Sequence, residues 1–271
     1  MLRVFIFLFL LTGIASYAQK AGAETGLYDS LQTTLGFQQF KVFKNEVLSD
    51  SVNLVVVIHG DAPFTNPGYQ YAVAARIASE NDNTVSVAIL RPGYTDKAGR
   101  KSQGHKGKTT GDNYTPDVLS SIGEVVSVLQ SRYKAGKIIL VGHSGGAVIA
   151  ADLMELHPAI FKSSAVLVSC PCDIKEWRTH MKGLQPGNKE WDKPVKSLSP
   201  MTGIKQVNPE LDIVIIHGEE DEVVPLSIGK DFYSRLVKEN KKARLLTIPK
   251  QGHEIFLNDL IYSEIAKLLK P

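Results

Sequence analysis

Cysteine is scarce in this chain, since Cys170 and Cys172, separated by Pro171, are the only two among 271 residues. A fold held together by several disulfides is therefore excluded. In an exported protein the pair could form a strained bridge, or it could remain as two thiols at the end of a strand. Two sulfur atoms cannot complete the four-ligand shell of a zinc ion, so we interpret the pair as structural.

An excess of charge of one sign is also lacking. The chain has 31 Lys and Arg residues and 28 Asp and Glu residues, and its formal net charge is +3 at pH 7. This balance favours neither a nucleic acid nor a membrane surface as a partner. The sequence contains no H-E-x-x-H motif, no paired Cys and His ligand set and no glycine-rich phosphate loop. We therefore predict neither a metal nor a cofactor, and nothing in the pattern specifies an oligomeric state.

No apolar run reaches the roughly 20 residues of an ordinary membrane-spanning helix. The longest begins at Val4, after Met1-Leu2-Arg3, and small residues follow at 15–18. This pattern predicts a secretory signal peptide at residues 1–18 that is cleaved after Ala18, with an uncleaved anchor as the alternative. We expect export to the periplasm or the medium, with no membrane attachment after cleavage. The remaining residues 19–271 have the length of one α/β domain.

From Val52 onward, short β-branched apolar runs alternate with helical patterns. This alternation predicts an α/β fold, with a mostly parallel sheet covered by helices on both faces. Strands are predicted at residues 53–58, 84–90, 137–141, 164–169, 211–217 and 243–248. Helices are predicted at residues 69–80, 116–133, 145–157, 226–239 and 254–269. Residues 37–50 are predicted to add one or two antiparallel edge strands.

Four motifs follow apolar runs along the chain. Gly142-His143-Ser144-Gly145-Gly146 lies between a predicted strand and a predicted helix, which is typical of a nucleophile elbow. The sequence H-G-E-E-D-E-V-V-P follows at residues 217–225, and Gly252-His253 lies near the C-terminus. His59-Gly60-Asp61 comes after the first buried run. The chain order Ser, Asp, His is the order in which an α/β-hydrolase carries its catalytic residues.

These motifs resemble those of the α/β-hydrolase serine hydrolases, and their spacing is most similar to small esterases and prolyl-oligopeptidase-like hydrolase domains. The resemblance extends from about residue 52 to residue 269. It implies an α/β-hydrolase fold with a mostly parallel central sheet, helices on both faces and a small cap insertion. The cap is expected at about residues 173–207, within a single hydrolase domain at 19–271.

The resemblance also implies roles for individual residues. Ser144 would be the nucleophile, His253 the general base, and Asp221 the carboxylate that orients the imidazole. The backbone N–H groups of Gly145 and Asp61 would form the oxyanion hole. Helix capping is the alternative role for Ser144. The neighbours that rival Asp221 are Glu219, Glu220 and Glu222.

Asp61 departs from what an oxyanion hole requires, because its carboxylate would oppose the negative charge that develops there. Only its backbone N–H is therefore assigned to the site. We predict that its side chain caps the next helix or meets a basic group.

Two segments interrupt the alternation of strands and helices. Residues 94–114 are polar and rich in lysine, and they form either a solvated mobile loop or a basic rim that attracts a substrate carboxylate. The cap insertion contains Trp177 and Trp191. These aromatic residues either line a substrate pocket or pack the cap onto the core.

The pattern as a whole predicts an exported serine hydrolase that cleaves a carboxylic ester through an acyl-enzyme. A serine exopeptidase of prolyl-oligopeptidase-like type is the alternative. An interpretation of another class is a binding protein on a hydrolase scaffold that has lost catalysis. The expected partner is a small-molecule ester or a short peptide, and the sequence specifies neither the acyl length nor the leaving group.

Overall fold

A computed structural model describes residues 26–62, 65–157 and 164–270 of the chain. The signal peptide predicted at residues 1–18 lies outside these ranges. Within them, every helix is too short or too polar to cross a membrane.

The centre of the molecule is an eight-stranded sheet with the strand order β1-β2-β4-β3-β5-β6-β7-β8. The strands β1 and β2 pair antiparallel, β2 pairs antiparallel with β4, and all other neighbours are parallel. The predicted mostly parallel sheet is confirmed. The strands are β1 (Leu27–Thr33), β2 (Gly36–Lys44), β3 (Asn53–Ile58), β4 (Thr84–Ile89), β5 (Lys137–His143), β6 (Ser164–Val168), β7 (Asp212–Gly218) and β8 (Ala243–Ile248).

Helices cover both faces of this sheet, as predicted. The helices are α1 (Tyr69–Glu80), α2 (Pro116–Arg132), α3 (Gly145–Leu156), α4 (Ile174–Leu184), α5 (Pro200–Gly203), α6 (Leu226–Lys238) and α7 (Asp259–Leu269). Apolar residues of α1 and α7 form one core with the sheet, and those of α2, α3, α4 and α6 form the other. The central strands are buried on both sides, which explains their continuous apolar runs.

Most predicted elements agree with the structure to within two residues, but the last helix and the antiparallel edge differ by more. The last helix was expected to begin at residue 254, but it begins at Asp259, because the Asn258 side chain accepts a hydrogen bond from Leu260 N–H and caps it. Ile255 and Phe256 are instead buried in the preceding loop. The antiparallel edge expected within residues 37–50 is a hairpin of β1 and β2. Most residues of β1 are polar or exposed, so it carries little apolar signal.

The segment between β6 and β7, where the cap was expected, is helical. It contains α4, α5 and two short 3-10 turns at Lys189–Asp192 and Ile204–Gln206. Asp173 starts α4 by accepting a hydrogen bond from Glu176 N–H. Residues 173–207 thus fold as a compact group of short helices rather than as an extended loop.

Cys170 and Cys172 form a disulfide at the carboxyl end of β6, and both are fully buried. The sequence left open whether the two cysteines form a disulfide or remain as thiols, and the structure has the disulfide. The Cys172 carbonyl also accepts hydrogen bonds from Met201 N–H at 2.9 Å and from the Ser199 hydroxyl at 3.3 Å. The start of the cap is therefore tied to its end.

Two carboxyl groups on α3 are buried, those of Asp152, which is 0% exposed, and Glu155, which is 9% exposed. Both oxygens of Asp152 and Oε1 of Glu155 have no hydrogen-bond partner among the described residues. Burial raises the pKa of Asp152 well above its usual value. Burial, followed by repulsion from Asp152, raises the pKa of Glu155 to about 9. The fold therefore favours the protonated form of both groups.

We expect the stability of the protein to fall as the pH rises from 6 to 9. The folded state holds these protons more tightly than the unfolded state, so the stabilisation is complete below the unfolded pKa of about 4 and is lost toward the folded pKa. The free energy of unfolding should fall by at most about 1.4 kcal/mol per pH unit for each group. Urea unfolding at several pH values measures it. Glu155→Gln should flatten the curve and the exposed Glu46→Gln should not, whereas a flat wild-type curve would contradict this account.

Candidate active site

Ser144 lies at the turn between β5 and α3 with φ of 51° and ψ of −121°. This left-handed conformation is costly for a residue other than glycine and is typical of a nucleophile elbow. The turn is packed so closely that its neighbours must lack side chains. A Cβ at Gly142 would lie 2.3 Å from the Gly146 carbonyl oxygen, and one at Gly146 would lie 2.2 Å from the Ile58 carbonyl oxygen. The glycines of the motif are thus required by packing.

Asp221 and His253 are in direct contact. Nδ1 of His253 lies 2.9 Å from Oδ2 and 3.2 Å from Oδ1 of Asp221. Oδ1 also accepts hydrogen bonds from the N–H groups of Val223 and Val224. Burial alone would raise the pKa of Asp221, but the hydrogen bond from His253 and its charge outweigh burial and lower that pKa. Asp221 is therefore an ionised carboxylate that orients the imidazole.

The rival acids of Asp221 lie elsewhere. Glu219 accepts a hydrogen bond from the Thr247 hydroxyl at 2.7 Å. Glu220 and Glu222 are exposed. Within the described part of the chain, His253 makes its carboxylate contacts to Asp221 alone.

Ser144 and His253 line one cavity of about 940 Å³. The backbone of His253 is held next to the elbow, because its carbonyl oxygen accepts hydrogen bonds from His143 Nε2 at 3.1 Å and from the Ser169 hydroxyl at 3.2 Å. The structure thus joins His253 to Asp221 and places Ser144 on the wall of the same cavity.

The loop after β3 lies against the elbow, where the oxyanion hole was predicted. A Cβ at Gly60 would be 3.1 Å from the Ser144 Cβ. The N–H of Gly60 is already donated to the Tyr69 hydroxyl at 2.6 Å. Gly60 N–H is therefore not free to act as an oxyanion donor, and the role of the N–H groups of Gly145 and Asp61 stays a prediction.

The side chain of Asp61 meets a basic group, as predicted. Its Oδ1 lies 2.9 Å from Arg91 Nη1, and its Oδ2 accepts hydrogen bonds from the Tyr114 hydroxyl at 2.7 Å and from Gly111 N–H at 3.1 Å. Arg91 is 0% exposed and also donates to Asn113 Oδ1. Burial alone would lower the pKa of Arg91, but Tyr94 and Asp61 outweigh burial and raise it. The charge of Asp61 is thus paired inside the protein.

A chain of hydrogen bonds that the sequence did not reveal links this loop to His253. Burial, followed by the nearby His253, lowers the pKa of His143 to about 3, so His143 is neutral. Its Nε2 must carry the proton, because the His253 carbonyl can only accept. Nδ1 of His143 then accepts from the Tyr69 hydroxyl at 3.0 Å, and that hydroxyl accepts from Gly60 N–H. The Tyr69 hydroxyl thereby contacts both the loop after β3 and His143, which in turn bonds the backbone of His253.

The two segments that interrupt the predicted alternation both border the cavity. Lys97, Lys106 and Lys108 of the polar segment line it, together with Trp177 and Trp191 of the cap. The two indole rings are buried and meet edge to face at 5.6 Å. The tryptophans therefore pack the cap and also form part of the cavity wall.

No group of three or more His, Cys, Asp or Glu side chains within residues 26–62, 65–157 and 164–270 is arranged to hold a metal ion. The groups brought together at and beside the cavity include a hydroxyl, an imidazole, a carboxylate and backbone N–H groups. This set can carry out nucleophilic acyl transfer.

Similar proteins are known among both peptidases and esterases. The chain is 25% identical over 155 residues to the acylamino-acid-releasing enzyme of Rattus norvegicus, a match that covers 51% of this chain and only 20% of that enzyme. The chain thus spans about a fifth of the length of the curated relatives it matches.

Solved structures share the fold. The acylaminoacyl peptidase of Pyrococcus horikoshii matches with a TM-score of 0.67 and 17% identity over 91% of this chain and 41% of its own. Est1E from Butyrivibrio proteoclasticus matches with a TM-score of 0.63 and 17% identity over 92% of this chain and 99% of its own. An esterase of Pyrococcus furiosus matches with a TM-score of 0.65 and 17% identity over 90% of both chains.

These likenesses establish the predicted α/β-hydrolase fold. Residues 72–270 match the Prolyl oligopeptidase family, and the chain belongs to that family of serine hydrolases.

Proposed function

We propose that this hydrolase cleaves the carboxylic ester of a small molecule through a covalent acyl-enzyme on Ser144. The observation that carries the proposal is the Asp221–His253 hydrogen bond at 2.9 Å beside a cavity that Ser144 also lines. The strained backbone of Ser144 supports it, because a simple helix cap needs no positive φ.

The reaction would run in two halves. The Ser144 hydroxyl attacks the ester carbonyl carbon while Nε2 of His253 accepts its proton, since Nδ1 is engaged by Asp221. The N–H groups of Gly145 and Asp61 hold the resulting oxyanion. The bond to the alcohol then breaks, and the alcohol leaves with the proton from His253. Water repeats these steps on the acyl-enzyme, which releases the acid and frees Ser144.

The esterases that share the fold support an ester as the substrate. Est1E and the Pyrococcus furiosus esterase are matched over 99% and 90% of their lengths, whereas the acylaminoacyl peptidase is matched over 41%. The chain therefore resembles complete esterases and one part of a peptidase. The likeness to the acylamino-acid-releasing enzymes favours a serine exopeptidase as the second candidate.

We further propose that the enzyme is exported and acts in the periplasm or the medium. The N-terminal pattern at residues 1–18 supports this, and the Cys170–Cys172 disulfide suits an oxidising compartment. The mass of the exported chain tests the proposal, since it should begin at Gln19. An exported or cell-bound chain that still begins at Met1 would overturn the cleavage.

Hydrolysis of chromogenic esters of increasing acyl length, beside aminoacyl and dipeptidyl anilides, tests the proposed reaction. We expect ester turnover and labelling of Ser144 by a fluorophosphonate, located by mass spectrometry of the peptides. Preferential cleavage of the anilides would establish the exopeptidase instead. If neither the esters nor the anilides are hydrolysed and Ser144 is not labelled, the result would contradict acyl transfer and favour a binding protein.

A further inference from the structure

The wall of the active-site cavity carries three lysines without a counter-ion. Within the part of the chain that the structure describes, Lys97, Lys106 and Lys108 have no carboxylate within 4.0 Å. All three side chains are exposed to the solvent in and around the cavity. They belong to the polar segment at residues 94–114, whose role the sequence left open.

Three acidic side chains line the same wall, and two of them are neutralised by cations that do not line it. Asp61 is paired with Arg91, and Glu190 is paired with Lys193. Glu254 is the remaining acidic residue of the wall, and it has no ion pair among the described residues. The cavity therefore carries a net positive charge that its own carboxylates do not balance.

Lys106 is held close to the predicted oxyanion hole. Its Nζ lies 4.5 Å from the centre of the Tyr94 ring, a cation–π contact. The hydroxyl of that tyrosine lies 3.4 Å from Oδ1 of Asp61. One tyrosine side chain thus separates the ammonium group from the oxyanion loop.

The other two lysines are also attached to the site. The stem of Lys97 lies 3.2 Å from the position that a Cβ would take at Gly68, next to Tyr69, which binds the oxyanion loop. The backbone N–H of Lys108 donates to Asp112 Oδ2 at 3.0 Å, and Oδ1 of that residue accepts from Lys196 N–H at 2.7 Å. The segment is therefore bonded to the cap rather than simply solvated.

We propose that the three lysines select substrates that carry a carboxylate close to the ester bond. This proposal rests on the proposed function and specifies its substrate class. Ammonium groups on the wall of a cavity raise the local concentration of anionic substrates, because the walls of a cleft focus the electric field of its charges. The cap tryptophans supply apolar contact in the same cavity. The preferred ligand would thus combine an apolar body with a carboxylate.

Each lysine is exposed, so its contribution should be modest, about 2- to 5-fold in kcat/KM or in the dissociation constant, as for other solvent-accessible ion pairs. Three together should give a preference of about 10-fold or more. The preference should shrink as the salt concentration rises, because ions screen exposed charges.

Turnover provides the first test. The first pair of substrates carries the carboxylate on the acyl group, and it compares para-nitrophenyl hydrogen glutarate with the methyl ester of the same compound. In the other it is on the leaving group, para-acetoxybenzoate against its methyl ester. We expect that in one pair kcat/KM is about 10-fold higher for the acid than for its methyl ester. The pair that shows this ratio identifies the side of the substrate that faces the lysines.

In the triple variant Lys97→Gln, Lys106→Gln, Lys108→Gln, the ratio of kcat/KM between acid and methyl ester should fall toward one. Lys101→Gln is the matched control, because Lys101 belongs to the same segment but does not line the cavity.

Binding without turnover provides the second test. Both tryptophans of the chain line this cavity, so their fluorescence reports its occupancy. Phenylbutanoate should bind wild-type protein about 10-fold more tightly than phenylbutanamide, and the triple variant should bind the two alike. Selective binding without ester turnover would keep the carboxylate site and remove the proposed reaction. Turnover of neutral esters with no preference for the acid, in either assay, would overturn the carboxylate site alone.

Discussion

Replacing Ser144 with alanine should lower kcat for the best ester substrate by about a million-fold. The hydroxyl is the bond-forming atom of the proposed acyl-enzyme, and no other hydroxyl can occupy its strained position at the end of β5. The measurement is steady-state hydrolysis together with fluorophosphonate labelling. Ser131→Ala is a suitable control, since the Ser131 hydroxyl lies on the exposed side of α2 and bonds only within its helix.

A variant of Asp221 tests whether Ser144 acts together with its proposed partners. Asp221→Asn should lower kcat by about 10,000-fold, because an amide no longer favours the imidazole tautomer that accepts the serine proton. The double variant Ser144→Ala, Asp221→Asn should be no slower than Ser144→Ala, since the residues act as one unit. Strictly multiplicative losses, or residual Ser144→Ala activity within tenfold of wild type, would show that the chemistry occurs elsewhere.

Replacing Arg91 with methionine should lower the free energy of unfolding by about 3–5 kcal/mol. The substitution removes the partner of Asp61 and leaves a carboxylate almost enclosed, with 12% of its side chain exposed. It also removes the donors that satisfy Asn113 Oδ1 and the His59 carbonyl. Since domains are stable by only about 5–15 kcal/mol, the loss is large. Urea unfolding monitored by circular dichroism measures it.

A second variant separates the charge from the packing. In Arg91→Met, Asp61→Asn the unpaired carboxylate is gone, so most of the lost stability should return. Asp61→Asn alone should be milder than Arg91→Met, because an asparagine can still accept from Tyr114 and Gly111. A loss below about 1 kcal/mol for Arg91→Met, or a double variant no more stable than the single one, would mean that the ion pair is not what holds the loop.

The parts of the fold that could be predicted are those specified locally. The strands β3 and β8 have the predicted bounds because each is a short apolar run between polar residues. The contact between Asp221 and His253 was implied by the family resemblance, which gives each residue its place after a strand of the sheet. The strand β1 could not be found in this way, since an edge strand with mostly exposed side chains has no apolar pattern.

The supporting residues of the candidate site depend on contacts between distant parts of the chain. Arg91 ends an ordinary apolar run, and nothing in its neighbours shows that it is buried against Asp61. Tyr69 begins a helix like many others, yet its hydroxyl bonds Gly60 and His143. For Asp61, the physics of an oxyanion predicted that the side chain caps the next helix or meets a basic group, while only the folded chain identifies Arg91 as its partner.

The tie between the first and last residues of the cap affects how this enzyme can evolve. Because the Cys172 carbonyl bonds Met201 N–H, the cap leaves the sheet and returns to it at nearly one point. The strands β6 and β7 remain paired in register beneath it. Insertions, deletions or exchanges within the cap can therefore remodel part of the cavity wall without moving the points at which the chain leaves the sheet and returns to it. The part of the cavity wall that residues 173–207 form can thus vary in sequence and length while the paired strands beneath it stay in place.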